Sequence, residues 1–166
     1  MKKIKILLAT ISVLMFVSCS NDSGGSSSST YYVKSTVDGV ETVWDSQIQA
    51  KTFHLGSDGV SFLLLAVKSN GNSINLHLTD GFTTTFQPQS FPLDYASVGC
   101  IETIGMTAYA SDYGDFTTSP GTIAITEVNT TNHTVKGTFN FIGKTDPETV
   151  SRTHTSGEFY VKYTEE

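Results

Sequence analysis

Cysteine is scarce in this sequence, and the scarcity restricts both the fold and the chemistry. The 166 residues include two cysteines, Cys19 near the start and Cys100. The neighbours of Cys100 are Val98, Gly99 and Ile101, which are small or apolar, whereas a nucleophilic thiol needs an electropositive setting. We therefore expect Cys100 to be a buried structural thiol. If Cys19 is used elsewhere, Cys100 also has no partner for an intramolecular disulfide.

Positive charge is scarce as well. Lysine and arginine together number 10 against 16 aspartate and glutamate residues, which gives a formal net charge of −6. Proteins that bind nucleic acid usually carry a basic patch that contacts phosphates. The composition therefore predicts no nucleic-acid partner, and it predicts no attraction to anionic lipid headgroups.

The first residues form the one basic stretch, and it precedes an apolar run. Lys2, Lys3 and Lys5 are followed by the mostly apolar residues 6–17. A membrane-spanning helix needs about twenty apolar residues, so this run is too short to span a bilayer. A basic start followed by a short apolar run is typical of a secretory signal peptide.

A cysteine stands directly after the apolar run, where a signal peptide would be cleaved. Val17-Ser18-Cys19 resembles the lipobox of bacterial lipoproteins, in which diacylglycerol is attached to the cysteine thiol and a type II signal peptidase cleaves before it. The resemblance implies a lipoprotein signal peptide over residues 1–18 and lipidation of Cys19. Several acyl chains anchor a protein stably, whereas one chain binds only marginally. Cys19 would thus attach the protein to the membrane.

Residues 20–30, with the sequence SNDSGGSSSST, contain no large apolar residue. Such a segment cannot bury apolar surface and is expected to be a flexible tether. Asp22, close behind Cys19, resembles the acidic export signal of surface-exposed Bacteroidetes lipoproteins. We therefore expect an outer-membrane lipoprotein that faces the periplasm or the cell surface, with a single folded domain over residues 31–166.

A helical apolar stripe is missing after the signal segment, and the apolar residues alternate instead. The pattern is clear in residues 74–78, 121–128, 135–141 and 157–163, and such alternation is typical of strands with one buried face. Residues 60–67, VSFLLLAV, are almost continuously apolar and predict a central strand. We expect the core to contain Leu63, Leu65, Leu76, Ile123, Ile125, Phe139, Phe141, Phe159 and Val161.

Turn signals divide the chain into short strands. Asp38-Gly39 and Asn70-Gly71 are dipeptides that favour hairpin turns. Two of the four prolines, Pro88 and Pro92, lie in residues 83–92, which predicts an edge segment because proline cannot donate to a strand ladder. The sequence predicts an all-β fold of about eight or nine antiparallel strands. The alternatives are a β-sandwich and a partly closed β-barrel, and the pattern does not choose between them.

The second half of the chain resembles a known family. The segments GTIAITEVNTTNHTVKGTFNFIGK, residues 121–144, and HTSGEFYVKY, residues 154–163, are similar to the DUF6252 family of Bacteroidetes lipoproteins. The resemblance implies the same location and an all-β fold, and it implies no activity. Gly137 and Gly157 each lie two residues before a phenylalanine on the same strand face. An aromatic ring is expected to cover such a glycine.

Catalytic and metal-binding motifs are missing too. The sequence has no nucleophile elbow and no phosphate-binding glycine loop. Two of the four histidines, His54 and His77, are expected on the polar faces of their strands, and no two histidines have the spacing of metal ligands. We therefore expect no cofactor, no metal and no enzymatic activity.

The best candidate binding loop runs from Tyr109 through Asp112 and Tyr113 to Asp115. Two aspartates three residues apart can share a calcium ion, but no glutamate closes the loop, so a polar turn is the favoured interpretation. Exposed tyrosines make good binding anchors. Trp44 is a further candidate, although a half-buried position at the edge of the core is favoured.

These features favour a non-enzymatic binding, adhesion or scaffold domain with a protein or glycan partner. Two alternatives remain at this stage. One is a calycin-like carrier of a small apolar ligand, which would need a deep apolar cavity. The other is a hydrolase acting on envelope or other polymers, which would need acidic residues or histidines that converge in a cleft.

Overall fold

The computed structural model describes residues 31–54, 59–82, 85–94, 97–112 and 117–166, and every regular element in these ranges is a β-strand. The prediction of an all-β fold is confirmed. The strands are β1 (Tyr32–Val37), β2 (Val40–Trp44), β3 (Gln47–His54), β4 (Val60–Val67), β5 (Ser73–Phe82), β6 (Gln89–Pro92), β7 (Val98–Ile104), β8 (Thr107–Ala110), β9 (Gly121–Asn129), β10 (Thr134–Lys144), β11 (Ser151–Lys162) and β12 (Thr164–Glu165).

All the strands belong to one curled sheet that closes partly on itself. The pairing order is β12-β3-β4-β5-β7-β8-β10-β11-β1-β2. Along the edge of β10 that faces β8, residues 134–141 pair with β9, and β6 pairs with the other side of β9. Neighbours are antiparallel except β12, which pairs in parallel with β3. Because β12 follows β11 directly in the chain, its pairing with β3 brings β3 close to the end of β11 and curls the sheet into a half-barrel.

The sheet has 12 strands where the sequence predicts eight or nine. Three of the strands are too short to be recognised from alternation: β6 and β8 have 4 residues each, and β12 has 2. Alternation is read over runs of about four to eight residues, so strands at or below the lower limit show little or no pattern of their own. The count was therefore low because short strands depend on neighbours that are distant in sequence.

The core lies on the concave side of the sheet, and most of its predicted members are there. Leu76, Ile123, Ile125, Phe139, Phe141, Phe159 and Val161 are buried. The prediction was wrong for Leu63 and Leu65, which are half-buried on the opposite face, while Phe62, Leu64 and Ala66 face the core. A strand that is apolar on both faces has no alternation to show which face points inward.

A β-bulge changes the phase of β11. The register of β11 shifts against both β1 and β10 near Ser156, whose φ is +49°. Before the bulge His154 faces the core, and after it Gly157 and Phe159 do so. The extra residue of a bulge reverses which side chains point inward, so the bulge is what directs His154 into the interior.

Two glycines make room for aromatic rings, as the sequence indicated. A Cβ atom at Gly137 would lie 2.2 Å from Cζ of Phe159, and one at Gly157 would lie 2.6 Å from Cδ2 of Phe139. The rings and the neighbouring strands therefore pack more closely than any larger residue would allow.

Cys100 is the buried thiol that the sequence predicted. It lies on β7, is free and is fully buried. Burial raises the pKa of this thiol well above its ordinary value, so the thiol form predominates and the group is inert.

Within the described ranges, no helix is long and apolar enough to cross a membrane.

Candidate functional site

The residues of the predicted binding loop lie in different environments. Trp44, at the end of β2, is fully buried, so its indole ring is not exposed as a binding platform. Tyr109 on β8 and Asp112 in the following turn are half-buried. Tyr113 and Asp115, like Cys19, lie outside the described residues.

A buried polar cluster lies beside two of these residues, Trp44 and Tyr109. Ser35 on β1, Glu102 on β7, and Arg152 and His154 on β11 form what we call the buried polar cluster. Ser35 Oγ lies 3.2 Å from His154 Nδ1, and His154 Nε2 lies 3.2 Å from Glu102 Oε2. Arg152 Nε donates a hydrogen bond of 2.6 Å to the same carboxylate oxygen.

Aromatic rings surround the cluster. The imidazole of His154 is stacked between Trp44, at 6.1 Å between ring centroids, and Phe141, at 4.0 Å. Tyr109 lies opposite Glu102 across the β7–β8 pair, and its ring packs 5.5 Å from the guanidinium of Arg152. The structure thus brings Trp44 and Tyr109 to the same cluster and not to an exposed loop. Trp44 lies in the interior, and Tyr109 lies half-buried at the rim of the cluster.

The electrostatics favour a charged Glu102. Burial alone would raise the pKa of this carboxyl group, but hydrogen bonds and charge from His154 and Arg152 outweigh burial and lower it. Arg152 also reaches Asp38 Oδ2 at 3.4 Å. The charges of the cluster are therefore compensated within the fold, as buried charges must be.

The order serine, histidine, glutamate matches that of an acyl-transfer triad, but its accessibility does not. Ser35 is 2 % exposed, His154 1 % and Glu102 3 %. A nucleophile must reach the carbonyl carbon of a substrate, and its base must reach the same point. Because Ser35 Oγ is turned towards a buried ring, the geometry indicates hydrogen bonding between strands instead of catalysis.

Sequence reasoning missed this cluster because its members are distant along the chain. Ser35 and His154 are separated by 119 residues, and Glu102 and His154 by 52. The inward direction of His154 also depends on the bulge near Ser156. The only local signal was the alternation of Arg152 and His154 with Thr153 and Thr155.

Histidines and acidic residues elsewhere make no recognisable metal site. In the part of the chain that the structure describes, no group of three or more His, Cys, Asp or Glu side chains is arranged to hold a metal ion. His54 is exposed, whereas His77 is half-buried. The ring of His77 covers Gly99 on the next strand, and burial lowers the pKa of His77.

Large side chains fill the concave side of the sheet. Phe62 on β4 stacks on Phe159 of β11 across the interior, with 6.1 Å between ring centroids. Phe82 on β5 contacts Phe91 of β6 at 5.0 Å, so the β6–β9 pair also closes over the core. A carrier of small apolar ligands needs an interior cavity, whereas among the described residues aromatic rings pack against one another across the interior.

The convex side of the sheet carries a cross-strand row of aromatic and charged residues. The strand registers place Tyr32 opposite Tyr160, Tyr160 opposite Lys136, and Lys136 opposite Glu127. The ring of Tyr31 packs edge-on against Tyr160 at 5.4 Å between centroids. We call this surface, completed by Lys34 and Glu158, the tyrosine face.

Each lysine of the tyrosine face is held by a glutamate and a tyrosine. Lys34 Nζ lies 3.1 Å from Glu158 and 5.5 Å from the centroid of the Tyr32 ring. Lys136 Nζ lies 2.8 Å from Glu127 and 5.2 Å from the Tyr160 ring. Hydrogen bonding to these glutamates raises the pKa of both lysines.

These exposed ion pairs contribute little to stability, but they order the tyrosine side chains. Tyr31, Tyr32 and Tyr160 are all half-buried, so each ring is fixed at one side and accessible at the other. Rigid amphipathic rings of this kind are the residues that binding surfaces favour. The tyrosine face is therefore a surface suited to binding.

Comparison with known proteins places the chain in a family. No curated protein and no solved structure matches it. The family model described as "Domain of unknown function (DUF6252)" matches residues 30–161, which include all of β1 to β10 and nearly all of β11. The chain therefore belongs to the DUF6252 family.

Proposed function

We propose that this protein is a non-enzymatic binding domain, anchored by lipid in the cell envelope, that binds its partner through the tyrosine face. The observation that carries the proposal is the row Tyr32–Tyr160–Lys136 with Tyr31 beside it. The row combines accessible aromatic rings with charges of both signs. Such a mixture suits an amphipathic partner, either a protein or a glycan.

The anchor rests on the sequence. The basic start, the short apolar run and Cys19 occur together, as in bacterial lipoproteins. Lipidation at Cys19 would hold the domain at an outer-membrane surface that faces the periplasm or the exterior. Residues 20–30 would then act as the tether between the lipid and β1.

The two alternatives have less support. A carrier would need an interior cavity, and phenylalanine rings of the described residues pack across the interior. A hydrolase would need access to Ser35, which is buried against His154. A binding surface on the convex side requires neither an interior cavity nor an accessible Ser35.

A pull-down from envelope extracts tests the binding surface. Full-length protein carrying Tyr160→Ala should retain much less partner than the wild type, because two of the ring contacts of the tyrosine face converge on Tyr160. Asn140→Ala is the matched control, since Asn140 is also exposed on β10 and lies outside the tyrosine face. Equal recovery with both variants would contradict the proposed surface.

Fractionation tests the anchor separately. Cys19→Ala should lose palmitate label and leave the outer-membrane fraction. A labelled Cys19→Ala protein that stays in the outer membrane would show that the attachment lies elsewhere. The two experiments fail independently, because the tyrosine face does not depend on the anchor.

A further inference from the structure

Among the described residues, no strand pairs with the outer edge of β2. The pairing order has free ends at β12 and β2, and β6 forms a third because it pairs with β9 alone. Natural sheets protect free edges by shortness, proline, lysine or bulges. β12 has 2 residues, and β6 ends at Pro92 and follows Pro88.

β2 has neither the shortness of β12 nor the prolines of β6, and its one charged side chain is Glu41. It has 5 residues, VETVW, with no proline and no lysine. Its pairing with β1 is continuous from Val37 opposite Val40 to Val33 opposite Trp44, without a bulge. An edge of this kind is a template on which another strand can form hydrogen bonds.

The turn that joins β1 to β2 decides which backbone groups face outward. Asp38 and Gly39 have φ angles of +48° and +85°, as in a two-residue type I′ hairpin. In such a hairpin the flanking pair, Val37 and Val40, exchanges hydrogen bonds, and the ladder then alternates. The N–H and C=O groups of Glu41 and Val43 therefore point away from β1, towards the open edge.

The side chains at this edge are apolar and acidic. Val40 is 67 % exposed and Val43 36 %. Glu41 and Asp45 are also exposed. Lys34, the residue of β1 that pairs with Val43, is itself bound to Glu158. The edge thus combines exposed valines with negative charge at Glu41 on β2 and at Asp45 directly after it.

These charges select the partner. Opposite charges across a strand pair are stabilising and like charges are destabilising. A second copy of this chain would bring its own Glu41 and Asp45 to the same edge, which adds negative charge to negative charge. An extended segment in which basic and apolar residues alternate would place its basic side chains beside Glu41 on one face of the sheet and its apolar side chains beside Val40 on the other.

We infer that β2 is a strand-addition site that binds an extended, basic segment of another polypeptide. The added strand would form backbone hydrogen bonds with Glu41 and Val43 and extend the sheet beyond β2. This inference goes beyond the binding role of the tyrosine face and does not require it, because it depends on different atoms.

The test uses the full-length protein and a synthetic peptide in which Lys alternates with Val. Amide hydrogen exchange at Glu41 and Val43 should slow by about tenfold or more at saturating peptide, because hydrogen-bonded amides exchange only after local opening. A matched peptide in which Glu alternates with Val should have no effect. Equal protection by both peptides, or none by either, would overturn the inference.

Two variants show whether backbone pairing is responsible. Val43→Pro removes the outward N–H of an edge strand, which a free edge tolerates, and it should abolish peptide binding. Val43→Thr keeps the N–H and should bind as the wild type does. If both variants bind equally, the peptide is held by charge alone and the inference is wrong.

A third variant keeps the test decisive if Val43→Pro fails to fold. The double variant Glu41→Lys, Asp45→Lys reverses the charge of the edge and should switch the preference of the protein from the Lys–Val to the Glu–Val peptide. An unchanged preference would refute the role of charge. Protection of the Glu41 amide that grows with protein concentration, without peptide, would show that a second copy occupies the edge and would overturn the assignment.

Discussion

Replacing Glu102 by glutamine should destabilise the fold at neutral pH, because this carboxylate holds the buried polar cluster together. The change Glu102→Gln keeps the shape of the side chain and removes its charge. In the wild type, Glu102 Oε2 accepts from Arg152 Nε at 2.6 Å and lies 3.2 Å from His154 Nε2. In the variant, Arg152 loses its closest anion.

The magnitude follows from the burial of the two partners. Breaking a fully buried ion pair by removing one member costs about 3–5 kcal/mol. Arg152 is 27 % exposed and also reaches Asp38, so water and a second carboxylate compensate part of the loss. We therefore expect Glu102→Gln to lower the free energy of unfolding by roughly 2–3 kcal/mol, between the exposed and the buried limits.

The effect should depend on pH in a defined direction. The fold lowers the pKa of Glu102, so this group stabilises the protein at a pH above its unfolded pKa, about 4.3. That stabilisation is lost as the pH falls through the lower, folded pKa. The difference between wild type and Glu102→Gln should therefore be constant near neutrality and shrink in acid.

Urea unfolding of both proteins at neutral pH and at a series of acidic pH values measures this difference. Ser35→Ala serves as the matched control within the same cluster, because it removes one hydrogen bond to His154 and leaves the Glu102 carboxylate in place; it should cost about 1 kcal/mol at neutral pH. If Glu102→Gln were as stable as the wild type at neutral pH, or if the difference did not shrink in acid, the electrostatic account of the cluster would be wrong.

Three further predictions concern packing, accessibility and chemistry. Gly137→Ala should lower the free energy of unfolding by about 1–3 kcal/mol in a denaturant titration, because its Cβ would lie 2.2 Å from the Phe159 ring and 2.5 Å from a backbone oxygen; a neutral effect would show that the ring has room to move. Cys100 should not react with a thiol reagent in the folded protein and should react once urea unfolds it, and fast labelling of the folded state would contradict its burial. Ser35 should resist a fluorophosphonate probe, whereas labelling that Ser35→Ala abolishes would support the hydrolase alternative.

The sequence predicted strands best where the two strand faces differ in polarity. Ile123 and Ile125 alternate with threonine and alanine, and both are buried as expected. Leu63 and Leu65 belong to a run that is apolar throughout, so their direction depended on pairing with β5. Leu64 lies opposite Leu76 in that pairing, and the sequence alone does not contain this register.

The candidate surfaces were less predictable than the fold because they are made across strands. Tyr32 and Tyr160 look like ordinary strand tyrosines until the β1–β11 register places them side by side. His154 faces inward only because of the bulge near Ser156. Trp44 was expected at the edge of the core, and its stacking on His154 depends on contact between β2 and β11 through β1.

Photo-crosslinking in living cells tests the central claim most directly, since it examines the anchored protein with its own partner. A benzophenone amino acid would replace Tyr160 in the full-length chain, and in a parallel strain it would replace Asn140. The account predicts that a defined envelope protein or glycan is crosslinked from position 160 and not from position 140. Crosslinking that is absent from position 160, or equally strong from both positions, would contradict a binding role for the tyrosine face.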